Sequence, residues 1–151
     1  MKPRLLVMIL VLIVCKPLFS QTGKTFHPVG CKVSGRDQEV PSDMSAAMAS
    51  FLSGLQAAIK EDHRDKVAGF MHYPLLAGSN KPVHVHSARE FIAGYDRLFP
   101  VDLRELILRQ KLACIGRVGD KGFTIGNGEL WFDEYDDGKV RAFTINPVMP
   151  E

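Results

Sequence analysis

After residue 42 the apolar positions fall at three- and four-residue steps, and after residue 112 they alternate. Met44, Met48, Phe51, Leu52, Leu55 and Ile59 share one helical face and predict an amphipathic helix of about 18 residues. Ser42 or Asp43 can cap it, and Ala46, Ala47, Ala49, Ser50, Ser53 and Gly54 suit close packing along one side. A short second helix is predicted over 62–70, with Val67 and Phe70 inward. A strand follows over 71–76, in which Pro74 argues for an edge position or a strand start, because proline cannot donate to a ladder. Gly78-Ser79-Asn80-Lys81 marks a turn, and the alternation Val83-His84-Val85-His86 predicts the returning strand of a hairpin. Ser87 with Glu90 three residues on forms a capping box. It opens a helix with Phe91, Ile92, Tyr95 and Leu98 on one face, stopped by Pro100. Asp102 is expected to cap a further short helix carrying Leu103, Leu106 and Ile107.

The last third predicts strands over 112–118, 123–126, 129–135 and 140–146. Turn signals separate them, Asp137-Gly138 being the strongest. Helices, a hairpin, helices and a meander make an α+β layout, with helices packed on one face of a mostly antiparallel sheet. By parity, Glu129, Trp131, Asp133 and Tyr135 share one face, and Leu130, Phe132 and Glu134 the other. The last strand divides into Arg141, Phe143 and Ile145 against Val140, Ala142, Thr144 and Asn146. Both faces therefore carry apolar groups, whereas a sheet with one wet face alternates more cleanly. A ligand, the N-terminal arm or a second subunit is expected to cover the second face.

The N-terminus has a different pattern. Lys2 and Arg4 precede an apolar run of about ten residues, short of the roughly 20 that a membrane span needs. Residues 1–20 are identified as a secretory signal peptide, cut after Ser20 or a few residues later, for instance after Gly23. The expected location is periplasmic or secreted, with no stable membrane insertion after cleavage. A lipoprotein acylated at Cys15 is the alternative, but Val14 stands where a small residue is usual. Residues 21–41, broken by Pro28, Gly30, Gly35 and Pro41, form an extended arm, and 42–151 the domain.

Cleavage changes the charge balance. The chain has 19 basic and 17 acidic residues; loss of Lys2, Arg4 and Lys16 leaves 16 against 17, net −1. That removes the electrostatic case for nucleic-acid binding. Cys31 and Cys114 remain in an oxidising setting, as a candidate disulfide or as a free thiol and a small core residue.

Three segments carry a resemblance: Phe70-Met71-His72-Tyr73-Pro74-Leu75, Glu90-Phe91-Ile92-Ala93-Gly94-Tyr95-Asp96 and Gly126-Asn127-Gly128-Glu129-Leu130-Trp131-Phe132. Over residues 43–147 the chain resembles small exported bacterial proteins of the NTF2-like (cystatin-like) superfamily. The resemblance implies a curved sheet wrapped round helices, forming a cone with a pocket, and dimers through the sheet face. It implies little about activity, because this fold hosts enzymes, ligand binders and interaction modules. Enzymes of the superfamily place Asp, His or Tyr inside the cone, but their catalytic motifs match no positions here.

Candidate pocket groups are therefore Tyr73, Tyr95, Trp131, His72 and Asp96. Tyr73, Tyr95 and Trp131 serve equally well as core aromatics. Asp96 follows Tyr95 and so points about 100° away from it, toward solvent. His84 and His86 project to one face of a strand, as chelation needs, and His72 on the partner strand is the candidate third ligand. The strand is short and exposed, so a solvent-facing hairpin is expected, with no metal and no cofactor. The acidic run 133–137 lacks the ligand spacing of a calcium loop. A non-catalytic module for a small apolar ligand or an envelope protein is the expected function, with a homodimer through the sheet as a further candidate partner. A small isomerase-, dehydratase- or hydrolase-type enzyme is the alternative.

Overall fold

The computed structural model describes residues 46–78 and 80–147. The signal peptide expected over 1–20, the arm expected over 21–41 with Cys31, and the caps expected at Ser42 or Asp43 lie outside the described residues. Helix α1 (Ala46–Lys60) buries Met48, Phe51, Leu52, Leu55, Ala58 and Ile59, the stripe expected from the spacing. Gly54 lets the Phe70 ring approach; a Cβ there would come within 2.8 Å of it. Helix α2 (Arg64–Gly69) buries Val67 and Ala68.

Strand β1 (Met71–Ala77) pairs antiparallel with β2 (Val83–Val85). Its other side pairs in parallel with β6 (Val140–Ile145), so it is an interior strand, not the edge that Pro74 suggested. The ladder to β6 shifts register between Met71 and Leu76, and Pro74 lies exposed within that interruption. A residue without an N–H is tolerated where the ladder is already broken.

The next segment divides at Gly94 into α3 (Ala88–Ala93) and α4 (Tyr95–Leu98). The division turns Ile92 outward, 37% exposed, while Phe91, Tyr95 and Leu98 stay buried. The capping box forms with one change. Ser87 Oγ accepts from the Glu90 N–H (3.3 Å), but the Glu90 carboxylate accepts from the His86 N–H (2.7 Å). Helix α5 (Val101–Arg109) has Pro100 at its N-cap and no side-chain cap. Asp102 sits within the first turn instead, where the helix dipole still favours a carboxylate.

The strand expected over 112–118 is mostly replaced. Leu112–Cys114 is a 3-10 turn closed by the Cys114 N–H to Lys111 and the Ile115 N–H to Leu112, and only Gly116–Arg117 (β3) is extended. A continuous apolar run without alternation does not distinguish strand from turn. Strands β4 (Phe123–Ile125), β5 (Leu130–Glu134) and β6 then meander as expected. Among the described residues the sheet order is β2-β1-β6-β5-β4-β3, with β1–β6 the one parallel pair, and with the helices it makes an α+β fold.

Two cross-strand rows meet the helices. Phe123, Phe132, Ala142 and Met71 form one, and Ile125, Leu130, Ile145 and Ala77 the other, all buried. Phe51 of α1 stacks on Phe132 at 4.9 Å. Phe91, Tyr95 and Phe99 form an aromatic trio with centroids 5.6–5.9 Å apart. The simple parity of β6 fails at one point. Phe132 pairs with Ala142 but Trp131 pairs with Thr144, so Phe143 is an extra, bulged residue. That moves Ile145 to the core face with Ala142 and leaves Thr144 and Phe143 half-buried. No helix among the described residues is long and apolar enough to cross a membrane.

Candidate functional site

The five pocket candidates do not meet. Tyr73 donates its hydroxyl to the Ala68 carbonyl (3.0 Å), tying β1 to the end of α2. Tyr95 is fully buried, and its hydroxyl has no hydrogen-bond partner. The Arg64 and Arg104 guanidinium groups lie over its ring, 4.7 and 5.2 Å from the centroid. Asp96 points outward, with its side chain 64% exposed, and accepts from Arg64 (3.0 Å) and Arg104 (3.4 Å). It is a surface clamp joining α2, α4 and α5, not a buried base. His72 stacks on Tyr135 at 4.5 Å, with the rings 6° from parallel. Trp131 donates Nε1–H to the Gly128 carbonyl (3.0 Å).

Burial raises all three phenols. Tyr73 is pushed up to about 12. Tyr95 and Tyr135 are also raised by desolvation, against the opposing pull of Arg104 and Arg141 respectively. The folded state therefore holds these protons above the ordinary value near 10. Their stabilising contribution is intact below that value and is lost as the pH climbs toward the folded values. A tyrosinate absorbance titration should show no phenol ionising at its ordinary value while the fold persists. Tyr73→Phe should make the alkaline fall in stability shallower; an unchanged pH profile would contradict the assignment.

The sheet face away from the helices gathers the remaining candidates. Thr124, Trp131, Thr144, Leu76 and His84 form one row straight across it. Beside that row lie Phe143, Asp133 and Arg141, and the His72–Tyr135 stack. The Arg141 guanidinium sits 5.6 Å from the Tyr135 centroid and pairs with Asp137 at 2.6 and 3.1 Å. The hydrogen bond from Arg141 holds the Asp137 carboxyl below its usual range. Leu76, Trp131, Phe143 and Thr144 are half-buried, so the face offers aromatic and aliphatic area with a charged end.

At one end of this face is a polar hollow of ≈ 390 Å³ lined by Asn127, Gly128, Glu129 and Asn146. Glu129 is 6% exposed, the one buried charged residue among those described. Its carboxylate accepts from the Asn127 N–H, and Asn146 closes the turn through the Gly128 and Glu129 carbonyls. Gly126, at φ +68°, leaves the space the carboxylate occupies. Parity places Glu129 on one face with Trp131, yet its carboxylate is buried. The usable signal was the pair Gly126 and Gly128 bracketing Asn127, which marks a turn tight enough to fold the next side chain back. The carboxylate braces the β4–β5 turn.

Among the described residues no group of three or more His, Cys, Asp or Glu is placed to hold a metal. His72, committed to Tyr135, does not join His84 and His86. Cys114 is disulfide-bonded, and its partner lies outside the described residues. No family model, curated protein or solved structure matches the chain.

Proposed function

We propose that this chain is an exported, non-catalytic binding module of the NTF2-like kind, periplasmic or secreted, that holds an envelope protein on the outer face of its sheet. The observation carrying this reading is the contrast between the two faces. The inner face is filled by side chains, with Phe91, Tyr95, Phe99, Phe123 and Phe132 each under 2% exposed. The outer face leaves Trp131, Phe143 and Leu76 half-buried beside Arg141. Aromatic residues with an arginine at the margin are what protein interfaces enrich. A filled interior favours a protein over a small apolar ligand. The sheet order and the α+β layout support the NTF2-like reading. In the alternative enzyme, Tyr95 would be the candidate, its buried hydroxyl close to Arg104, since Tyr73 and Asp96 already have partners.

Trp131 is the only tryptophan, which makes it a built-in reporter. The test is a photo-crosslinking residue at position 143 in cells exporting the full chain. A discrete adduct is expected, absent when the reactive residue is placed at exposed position 108 instead. The isolated partner should blue-shift the Trp131 emission. An adduct at twice the mass of the chain would identify a homodimer through this face. No adduct at position 143, or identical adducts at both positions, would reject the reading.

A further inference from the structure

Among the described residues no neighbour balances the charge of Glu129. The residue is 6% exposed, and no described Lys, Arg or His lies within ion-pair reach of it. A carboxylate so far out of water is costly without a cation. One of its oxygens accepts the Asn127 N–H. The other accepts from no described residue, and it is not sealed off either: the Tyr95 hydroxyl is the one sealed, unpartnered side-chain atom among those described. That second oxygen therefore keeps access to the hollow that Glu129 helps to line.

The rest of the lining offers acceptors as well. Asn146 donates Nδ2–H to the Gly128 carbonyl (3.0 Å), which fixes its amide and leaves Oδ1 as an acceptor. The Gly128 carbonyl takes a second bond from Trp131 Nε1 (3.0 Å), so both its lone pairs are used. The Asn127 side chain bonds to no described residue, and its amide can turn the oxygen toward the hollow. Acceptors from Glu129, Asn146 and Asn127 around one space, with a negative charge among them, suit a group that only donates. An ammonium has three N–H donors and no acceptor. A guanidinium is held best by both oxygens of a carboxylate, and here Asn127 takes one of them. The hollow, ≈ 390 Å³, has room for an alkyl stem behind the ammonium. The Trp131 ring lies against Gly128, where a Cβ would come within 3.3 Å of Nε1, and it gives that stem an apolar wall continuous with the outer face.

We propose that the hollow is a primary-ammonium site, filled by a lysine side chain of the protein held on the outer face. The lysine supplies the cation that Glu129 lacks and fixes the partner's register on an otherwise flat sheet. The choice of a protein as the source rests on the outer-face reading above, whereas the ammonium chemistry rests on the hollow alone.

The test titrates the isotope-labelled exported protein with acetyl-lysine methylamide, free at its side-chain amine, and follows the amide NMR spectrum. Saturable shifts are expected at Asn127, Gly128, Glu129 and Asn146, with a change in Trp131 emission. The same compound acetylated on its side-chain amine keeps the stem and loses the charge, and it should bind about tenfold more weakly or worse. The arginine counterpart should also bind more weakly. Glu129→Gln keeps an oxygen for the Asn127 N–H and removes the charge, so it should weaken the lysine compound by about tenfold or more. Asn127→Lys puts an ammonium of the chain's own at the hollow and should exclude the compound, with far-UV circular dichroism unchanged. It leaves Glu129 in place, so the answer does not depend on a turn disturbed by Glu129→Gln. In cells, Asn127→Lys should also reduce the adduct formed at position 143. No saturable shift, equal binding of the acetylated compound, or unchanged binding in both variants would overturn the ammonium site. Amine binding with a position-143 adduct indifferent to Asn127→Lys would overturn the partner's lysine as its occupant. Amine binding with no position-143 adduct in the wild type would strike the outer-face reading and sustain the ammonium site.

Discussion

Phe132→Ala is expected to lower the unfolding free energy by about 3–5 kcal/mol, the range for a fully buried aromatic cut back to alanine. Phe132 is 0% exposed, and its ring is held from two sides, by Phe51 at 4.9 Å and Phe123 at 5.8 Å, both nearly parallel to it. Its cross-strand neighbour Ala142 is small and has no side chain to swing into the space. The site therefore cannot collapse, and the cavity term adds to the lost transfer energy. A domain of this size is stable by about 5–15 kcal/mol in total, so the loss is a large fraction. At roughly 4–8 °C per kcal/mol the melting temperature should fall by about 12–40 °C. Urea and thermal unfolding measure it. Phe143→Ala is the comparison: the same residue type, bulged onto the outer face and half-buried, should cost about 1.5 kcal/mol or less. Equal costs at the two positions would mean that the faces of β5 and β6 are assigned wrongly.

Cys114→Ser should cost about 2–5 kcal/mol under oxidising conditions, because it removes a cross-link that restricts the unfolded chain. We propose Cys31 as the partner, the cysteine that the expected cleavage after residue 20 would retain, which closes a loop of about 80 residues. Cys31→Ser should then match Cys114→Ser, and the double variant should be no less stable than either single one, since all three lack the same bond. Reduction of the wild-type protein should give the same loss. A Cys31→Ser protein as stable as the wild type would exclude that pairing, and additive losses in the double variant would show two separate roles.

The elements legible in the sequence are those with a strong period and local punctuation. The buried stripe of α1, the Ser87 cap and the β4–β5–β6 meander each follow from neighbours within a few residues. The places that were not legible depend on distant partners. Pro74 looked like an edge residue because its missing N–H is a local fact, while the interruption that accommodates it belongs to the pairing of β1 with β6. Ile145 changed faces because of one bulged residue, and a bulge is visible only once two strands are in register. The pocket candidates lie apart for a related reason. Tyr73, Tyr95, His72, Asp96 and Trp131 share a chemical type, but each is engaged by groups on other elements or by its own turn: Ala68 at the end of α2, the two arginines, Tyr135 and Gly128.

Hydrophobic periodicity, caps and turn residues were sufficient for the α+β class and for the order of helices and strands, because those signals act over one or two turns of chain. The signal-peptide pattern, which is equally local, sets the expected destination. Tertiary structure alone decided which faces are buried, where Glu129 turns inward, and that the aromatic candidates divide between a filled interior and an open sheet face. Those outcomes depend on register and on contacts between residues tens of positions apart, which no short window of sequence contains.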